Sequence, residues 1–157
     1  MNSSPGIFQK LFIKTGIMKP SVGKDRRRAK RYRVNLPVQF RILLRSRPDV
    51  STSLFPASLF DLSELGLGLL IETMEFDGLH ITKINSETSE EYLFEIHIPF
   101  GQEPILVSAK MVWYIQTADH HPFILRLGLS ILDPSHELKK KIRNFINICT
   151  HANEIDA

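Results

Sequence analysis

Arginine side chains are concentrated in one short segment, residues 26–31, whose sequence is Arg-Arg-Arg-Ala-Lys-Arg. A guanidinium group is always charged and offers its donors in a flat fork, so it binds phosphates and stacks on aromatic rings. Arg27 and Arg31 lie four residues apart, which places both side chains on one edge of an extended chain and on one face of a helix. Both can therefore converge on one bulky anion.

A second segment, Asp61-Leu62-Ser63-Glu64-Leu65-Gly66, combines a carboxylate, a hydroxyl and a glycine. Asp and Ser side chains organise turns by bonding nearby backbone groups, and Gly66 is expected to supply the positive φ that a return strand needs. One interpretation is a well-made hairpin and nothing more, and this segment taken alone favours it. The other is a carboxylate beside a hydroxyl that matches the amino and imino donors of a guanine edge.

The charge of the chain is unevenly distributed. Residues 1–33 hold ten basic residues and one acid, a net charge of +9, so the remainder carries −6 within the overall +3. A basic arm on a mildly acidic body indicates an anionic partner for the arm, although a solubilising tail is the plainer alternative. The chain shows no secretory signal and no apolar run of the roughly 18 residues that a membrane span needs. Its single cysteine excludes an internal disulfide, and these absences favour the cytoplasm.

The residue patterns predict strands followed by one helix. Residues 34–44 and 92–98 alternate between apolar and polar side chains, as half-buried strands do, and Pro37 suggests that the first strand has a free edge at that point. Short strands are expected at 58–62 and 67–72, and a loop at 46–57. Two later strands are predicted from the following inward-facing sets: Ile105, Val107, Ala109, Met111, Trp113 and Ile115, then Phe123, Leu125, Leu127, Leu129 and Ile131. Six strands joined by short loops predict an antiparallel barrel or sandwich.

The helix is expected to start at Asp133 as its cap, with Pro134 in the first turn. Its apolar face is formed by residues at three- and four-residue spacing: Leu138, Ile142, Phe145, Ile146 and Cys149. The sequence carries no phosphate-binding P-loop, no dinucleotide fingerprint and no nucleophilic triad, so we do not expect an enzyme. No metal site is expected, since adjacent histidines such as His120 and His121 rarely bind one ion together.

The joint pattern resembles the PilZ domain family over about residues 25–150. It consists of an RxxxR pair, Arg27 to Arg31, before the first barrel strand, and DxSxxG, Asp61 to Gly66, between the second and third. Other features of the sequence also match this family. They are Leu36-Pro37-Val38, Leu67-Gly68-Leu69, Val112-Trp113, Leu127-Gly128-Leu129 and the final helix. The resemblance implies an all-β fold with a C-terminal helix, a six-stranded antiparallel β-barrel.

The resemblance also implies a ligand, the bacterial second messenger cyclic di-GMP, and no other cofactor. It assigns ligand binding to Arg27, Arg31, Asp61, Ser63 and Gly66, with Arg26 and Arg28 as helpers. The residue before the pair, Arg26, would favour a stacked pair of ligands. We expect residues 1–24 to form an extension, 25–151 the domain and 152–157 a tail. The arm is expected to become ordered on binding, and the output to pass to an unidentified protein partner from a monomer or a ligand-dependent dimer.

Two alternatives stay open at this point. A PilZ-like adaptor could have lost nucleotide binding and act through protein contacts alone. A small-barrel RNA-binding protein could use the basic arm, but such proteins display exposed aromatic side chains for base stacking. Most Phe and Tyr residues here fall on inward positions, so we expect no DNA or RNA partner.

Overall fold

The structure is a computed structural model that describes residues 29–84 and 91–156, with side chains described up to residue 150. Nine strands and two helices occur within those ranges. In chain order they are β1 (Tyr32–Leu44), β2 (Arg47–Ser51), β3 (Phe55–Leu62), β4 (Gly66–Ile71), β5 (Glu75–Phe76), β6 (Leu79–His80), α1 (Ile81–Ile84), β7 (Tyr92–Ile98), β8 (Ile105–Gln116), β9 (Leu125–Ile131) and α2 (His136–Asp156).

Six strands close into a barrel in the order β1-β3-β4-β9-β8-β7, and β7 pairs again with β1. Every neighbouring pair is antiparallel. The six-stranded antiparallel barrel with a C-terminal helix is therefore confirmed. Pro37 lies where β1 pairs only with β3, because the pairing of β1 with β7 begins at Gln39.

The predicted loop at 46–57 is wrong, because this stretch contains β2 and the start of β3. β2 is exposed along its whole length and pairs with β1 at only two positions. A strand with solvent on both faces needs no alternation of apolar and polar residues, so the pattern that identified the other strands is missing here.

The barrel interior is filled by the inward side chains of all six strands. At one end, the ring of Phe40 lies 6.1 Å from that of Phe55, 5.6 Å from that of Phe76 and 5.7 Å from that of Phe94. Phe76 reaches this cluster from the β5–β6 hairpin, whose turn is Asp77-Gly78 with φ of 53° and 87°. Two successive positive φ values are what a two-residue hairpin of the right twist requires, and an Asp-Gly pair supplies them.

Helix α2 packs its apolar face on the barrel through Ile142, Phe145 and Ile146, as predicted. Its cap is Ser135, whose Oγ accepts a hydrogen bond of 3.0 Å from the backbone N–H of Leu138. The prediction that Asp133 caps the helix is wrong. No helix in the described part of the chain combines the length and the apolar content that a membrane crossing needs.

An ion-paired cluster on the outer face of β1 and β7 makes the stability depend on pH. The Glu95 carboxylate accepts hydrogen bonds of 2.8 Å from Arg41 Nε and 2.9 Å from His97 Nε2. Partial burial would raise the pKa of Glu95, but the hydrogen bonds from His97 and Arg41 outweigh it and lower the pKa below its ordinary value of 4.5. The charged form is therefore favoured by folding.

We expect Glu95→Gln to be less stable than the parent at pH 7, by up to about 1 kcal/mol. A lowered folded pKa gives a contribution that is present above pH 4.5 and is lost as the pH falls through the folded pKa. Urea unfolding at a series of pH values checks this, and the same substitution in a His97→Gln background shows how much of the difference depends on the hydrogen bond from His97. A stability difference that persists unchanged to pH 2 would contradict the assignment.

Candidate functional site

The Asp61–Gly66 segment forms the turn between β3 and β4, and Ser63 builds it. Ser63 is 2% exposed. Its Oγ accepts hydrogen bonds from the backbone N–H groups of Leu65 at 3.1 Å and Gly66 at 3.0 Å, and donates to the carbonyl of Gly66 at 3.2 Å. The hydroxyl is thus engaged inside the turn, which it shapes, and does not face outward.

Gly66 does not adopt a left-handed φ, so that part of the prediction is wrong. The reason for glycine is space. A Cβ at this position would lie 2.9 Å from the carbonyl oxygen of Leu129 and 3.2 Å from Nη2 of Arg31. A side chain here would therefore displace either the backbone of β9 or the guanidinium of Arg31.

Strand register explains why Arg31 reaches this turn. Tyr32 pairs with Leu62 in the antiparallel β1–β3 ladder, so the preceding residue, Arg31, lies opposite the start of the turn. Its Nη1 is 3.7 Å from Oδ1 of Asp61, and the two side chains are 23% and 14% exposed. The two separate motifs therefore meet at one place in the folded chain.

One carboxylate oxygen of Asp61 has no hydrogen-bond donor among the described residues. Its Oδ1 is buried and accepts no hydrogen bond from any side chain or backbone group of the described ranges. The Arg31 distance of 3.7 Å is that of an ion pair and exceeds hydrogen-bond length. Since buried polar atoms are nearly always hydrogen-bonded, this oxygen calls for a donor from elsewhere.

Asp61, Gly68, Gly128 and Trp113 are paired neighbours in one row across β3, β4, β9 and β8. A Cβ at Gly68 would lie 2.8 Å from Oδ1 of Asp61, and one at Gly128 would lie 2.2 Å from Cε2 of Trp113. The carboxylate and the indole thus occupy the space above two glycines. Glycine within a strand indicates such close approaches, and the two Leu-Gly-Leu segments carried this signal in the sequence.

We expect Gly68→Ala to destabilise the barrel by about 1–3 kcal/mol, because the new methyl group collides with the Asp61 carboxylate. A double-mutant cycle isolates the cause. If the carboxylate is the obstacle, Gly68→Ala should cost less in an Asp61→Ala background than in the parent. Equal costs in the two backgrounds, measured by urea unfolding, would show that Asp61 is not what excludes the side chain.

A β-bulge turns Trp113 outward. Met111 pairs with Leu129 and Trp113 with Gly128, so Val112 is an extra residue in β8. An inserted residue moves every later side chain to the opposite face. The predicted inward positions of Trp113 and Ile115 are therefore wrong; Tyr114 faces the core instead, and burial raises the pKa of its phenol. Phe123, also predicted inward in the last strand, lies before β9 and is only partly buried.

An open depression of about 290 Å³ lies between the turn and β8. Arg31, Ser63 and Gly66 line one side of it, and Val112 and Trp113 line the other. Its walls thus offer a guanidinium, backbone groups of a tight turn and an aromatic ring. Such a set suits a planar, polar and anionic ligand.

An arginine–aromatic stack borders this site, and its members show no common spacing in the sequence. The guanidinium carbons of Arg33 and Arg126 lie 4.5 Å and 4.4 Å from the ring centre of Phe60, and Arg126 lies 5.7 Å from that of Trp113. Phe60 is 8% exposed although it lies outside the main core, because these cations cover it.

Four of the predicted site residues come together: Arg31, Asp61, Ser63 and Gly66. The other three, Arg26, Arg27 and Arg28, lie outside the described residues. Glu64, within the same turn, pairs with Arg143 of α2 at 3.1 Å and so belongs to the contact with the helix. The described ranges contain no cluster of three His, Cys, Asp or Glu side chains suited to a metal ion.

The fold and this site define a small β-barrel domain with an open polar site at the junction of its leading segment and one inter-strand turn. The PilZ domain family model matches residues 25–147. Because this match covers most of the chain, the chain belongs to the PilZ domain family.

Three solved structures share the fold. The PilZ domain with c-di-GMP of YcgR from Escherichia coli has a TM-score of 0.59 and 19% identity, over 84% of this chain and 97% of that one. YcgR from Escherichia coli in complex with c-di-GMP has a TM-score of 0.54 and 17% identity, over 84% of this chain and 49% of that one. The Bacillus subtilis inhibitor of motility, MotI/DgrA, has a TM-score of 0.51 and 13% identity, over 85% of this chain and 54% of that one.

This chain thus spans about half the length of the second and third structures. No curated protein sequence matches it.

Proposed function

We propose that this chain is a receptor for cyclic di-GMP. The observation that carries the proposal is the meeting of Arg31 with Asp61 above Gly66, since two motifs distant in sequence form one site. Membership of the PilZ family and the fold shared with a c-di-GMP complex support the choice of ligand.

The chemistry of the site fits a guanine nucleotide. A carboxylate whose buried oxygen accepts no hydrogen bond from the described residues suits the amino and imino donors of guanine, which is the role proposed for Asp61. Arg31 supplies a fixed cation for a phosphate or a purine face. Ser63 and Gly66 shape the turn and leave room for that cation. Arg27, with Arg26 and Arg28 beside it, is proposed to add further cations from the preceding segment.

The proposed output is a change in protein contacts, without catalysis, in the cytoplasm. Residues 1–33 carry +9, so a dianionic ligand should attract them, and the part of this arm that precedes Arg31 is proposed to order against the barrel. The reordered arm would expose or cover a surface for a protein partner, in a monomer or in a ligand-dependent dimer. Amide exchange over residues 20–33, with and without cyclic di-GMP, tests this. Equal protection in both states would reject the arm as the moving part.

Isothermal calorimetry with cyclic di-GMP tests the receptor proposal directly. We expect saturable heat, and a stoichiometry of one or two ligands per chain distinguishes a single messenger from a stacked pair. GMP at the same concentration serves as the control for guanine binding alone. Absence of heat for cyclic di-GMP at several temperatures would favour the adaptor that acts through protein contacts alone.

RNA binding is kept as a second candidate because of one observation. Phe60 and Trp113 lie on the outer face beside arginines, whereas the argument against RNA rested on inward aromatic rings. Phe60 is 8% exposed, however, and so presents little free ring for a base. Filter binding of single-stranded RNA over a salt series tests this second candidate. An RNA-binding protein would retain the RNA strongly at low salt and lose it as the salt concentration rises.

A further inference from the structure

The stack of Arg33, Phe60, Arg126 and Trp113 has no role in the function proposed above. It runs along the outer face of the barrel, from β1 through β3 and β9 to β8. Arginine and aromatic side chains alternate along it, with cation-to-ring distances of 4.5, 4.4 and 5.7 Å. All three distances lie within the range of cation–π attraction.

The stack ends on the wall of the candidate site. Trp113 is its last member, and Trp113 also lines the depression beside Arg31 and Gly66. Because the Val112 bulge places the indole on the outer face, the hydrophobic core does not hold it. On that face the indole fills the space above Gly128 and lies beside the guanidinium of Arg126.

Arg126 is itself fixed by its surroundings. Its guanidinium lies over the ring of Phe60, and Arg33 covers the same ring from the β1 side of the sheet. Phe60 also meets the ring of His120 edge-on, with centroids 5.9 Å apart. A guanidinium is flat and stacks on rings, so contact with Phe60 restricts how it can lie, and a restricted guanidinium leaves the neighbouring indole less room to rotate.

We propose that Arg126, backed by Phe60 and Arg33, is a positioning residue that sets the indole of Trp113 as a rigid wall of the ligand site. The ligand part of this inference rests on the proposed function; the positioning itself does not. A wall that is ordered before binding lowers the conformational cost of binding a planar ring. Arg33, Phe60 and Arg126 therefore support affinity without touching the ligand, and Trp113 is the one member of the stack that meets it.

Trp113 is the only tryptophan in the chain, so its fluorescence reports on this position alone. We expect the ligand-free parent to show tryptophan anisotropy decay dominated by overall tumbling, with little fast local motion. Phe60→Leu and Arg126→Met should add a fast local component and increase quenching by acrylamide. Phe60→Tyr keeps the ring and should behave as the parent. Arg126→Lys keeps the charge but loses the flat fork, and should behave as Arg126→Met does.

Affinity for cyclic di-GMP is the second readout. Variants with a mobile indole should bind about three- to tenfold more weakly, whereas Phe60→Tyr should bind as the parent does. Arg41→Met serves as the matched control, because Arg41 lies on β1 but pairs with Glu95 on another part of the barrel wall. Thermal unfolding confirms that each variant is folded at the temperature of measurement.

The two readouts separate the possible failures. If folded Phe60→Leu and Arg126→Met leave the anisotropy decay unchanged, the positioning inference is wrong whether or not the parent binds ligand. If the indole becomes mobile and the affinity stays the same, the rigid wall plays no part in binding and that half of the inference falls. If the parent binds no cyclic di-GMP, the receptor proposal fails, and the anisotropy alone decides the positioning.

Discussion

Arg31→Ala is expected to weaken cyclic di-GMP binding at least tenfold, about 1.4 kcal/mol or more. Arg31 is the one member of the RxxxR pair that the structure describes, and it contacts the DxSxxG turn directly. Removing its guanidinium takes away a cation that is already in place, and leaves the Asp61 carboxylate without its ion-pair partner. Both changes disfavour an anionic purine ligand. Calorimetry of the parent and the variant measures the difference.

The barrel should stay folded in this variant, because Arg31 precedes β1 and lies outside the core, although the loss of the partner of Asp61 should lower its stability. Arg41→Ala is the matched control. It also removes an ion-paired arginine, at 2.8 Å from Glu95, but on a part of the wall remote from the turn. An Arg31→Ala protein that binds as tightly as the parent would show that the site is elsewhere, and equal losses in both variants would indicate general charge attraction.

The strands were predictable wherever one face of the chain meets the core and the other meets solvent. Residues 92–98 alternate in burial as their sequence alternates in polarity, and they form β7. The alternation of apolar and polar residues did not identify the strand faces where a strand lacks one core face and one solvent face. β2 has solvent on both faces, and the extra residue Val112 reverses the two faces of β8 partway along. The extra residue of such a bulge is of no distinctive type. The sequence of β8 therefore does not show that its inward and outward faces change places at Val112.

The candidate site likewise has one part that the sequence indicated and one part that it did not. Its motif residues could be proposed from the sequence because each segment is local and carries distinctive side chains, and the structure brings Arg31 to Asp61. The stack of Arg33, Phe60, Arg126 and Trp113 could not be found, because it depends on which strands are neighbours and on where the bulges lie. Its members come from four strands, and no spacing within one segment relates them.

Gly66 shows a limit of another kind. Its residue type was explained by a backbone conformation, but the structure explains it by the approach of Arg31 and of the β9 carbonyl of Leu129. Glycine serves both purposes, and only the folded neighbours distinguish them. The sequence therefore indicated that glycine is needed at position 66, but it could not show whether the reason is backbone conformation or lack of space.

The largest effect on stability is expected from Phe40→Ala, at about 3–5 kcal/mol. Phe40 is fully buried and meets the rings of Phe55, Phe76 and Phe94, so truncation leaves a cavity that these rings cannot easily fill. One of them, Phe76, is held in place by the β5–β6 hairpin, which limits its movement into the space. Urea unfolding of the parent and the variant gives the free energy of unfolding.

The same variant separates the core from the site. Phe40 pairs with Phe55 at the start of β3, whereas Tyr32, next to Arg31, pairs with Leu62 at the other end of that strand, so the cavity lies far from the turn. A folded Phe40 variant should therefore bind cyclic di-GMP with the parent's affinity, the reverse of the Arg31→Ala result. Phe40→Leu, which leaves a smaller cavity, supplies the folded protein if Phe40→Ala is too unstable. If Phe40→Leu loses affinity in proportion to its stability, the Phe40 end of the barrel and the ligand site are coupled and do not act independently.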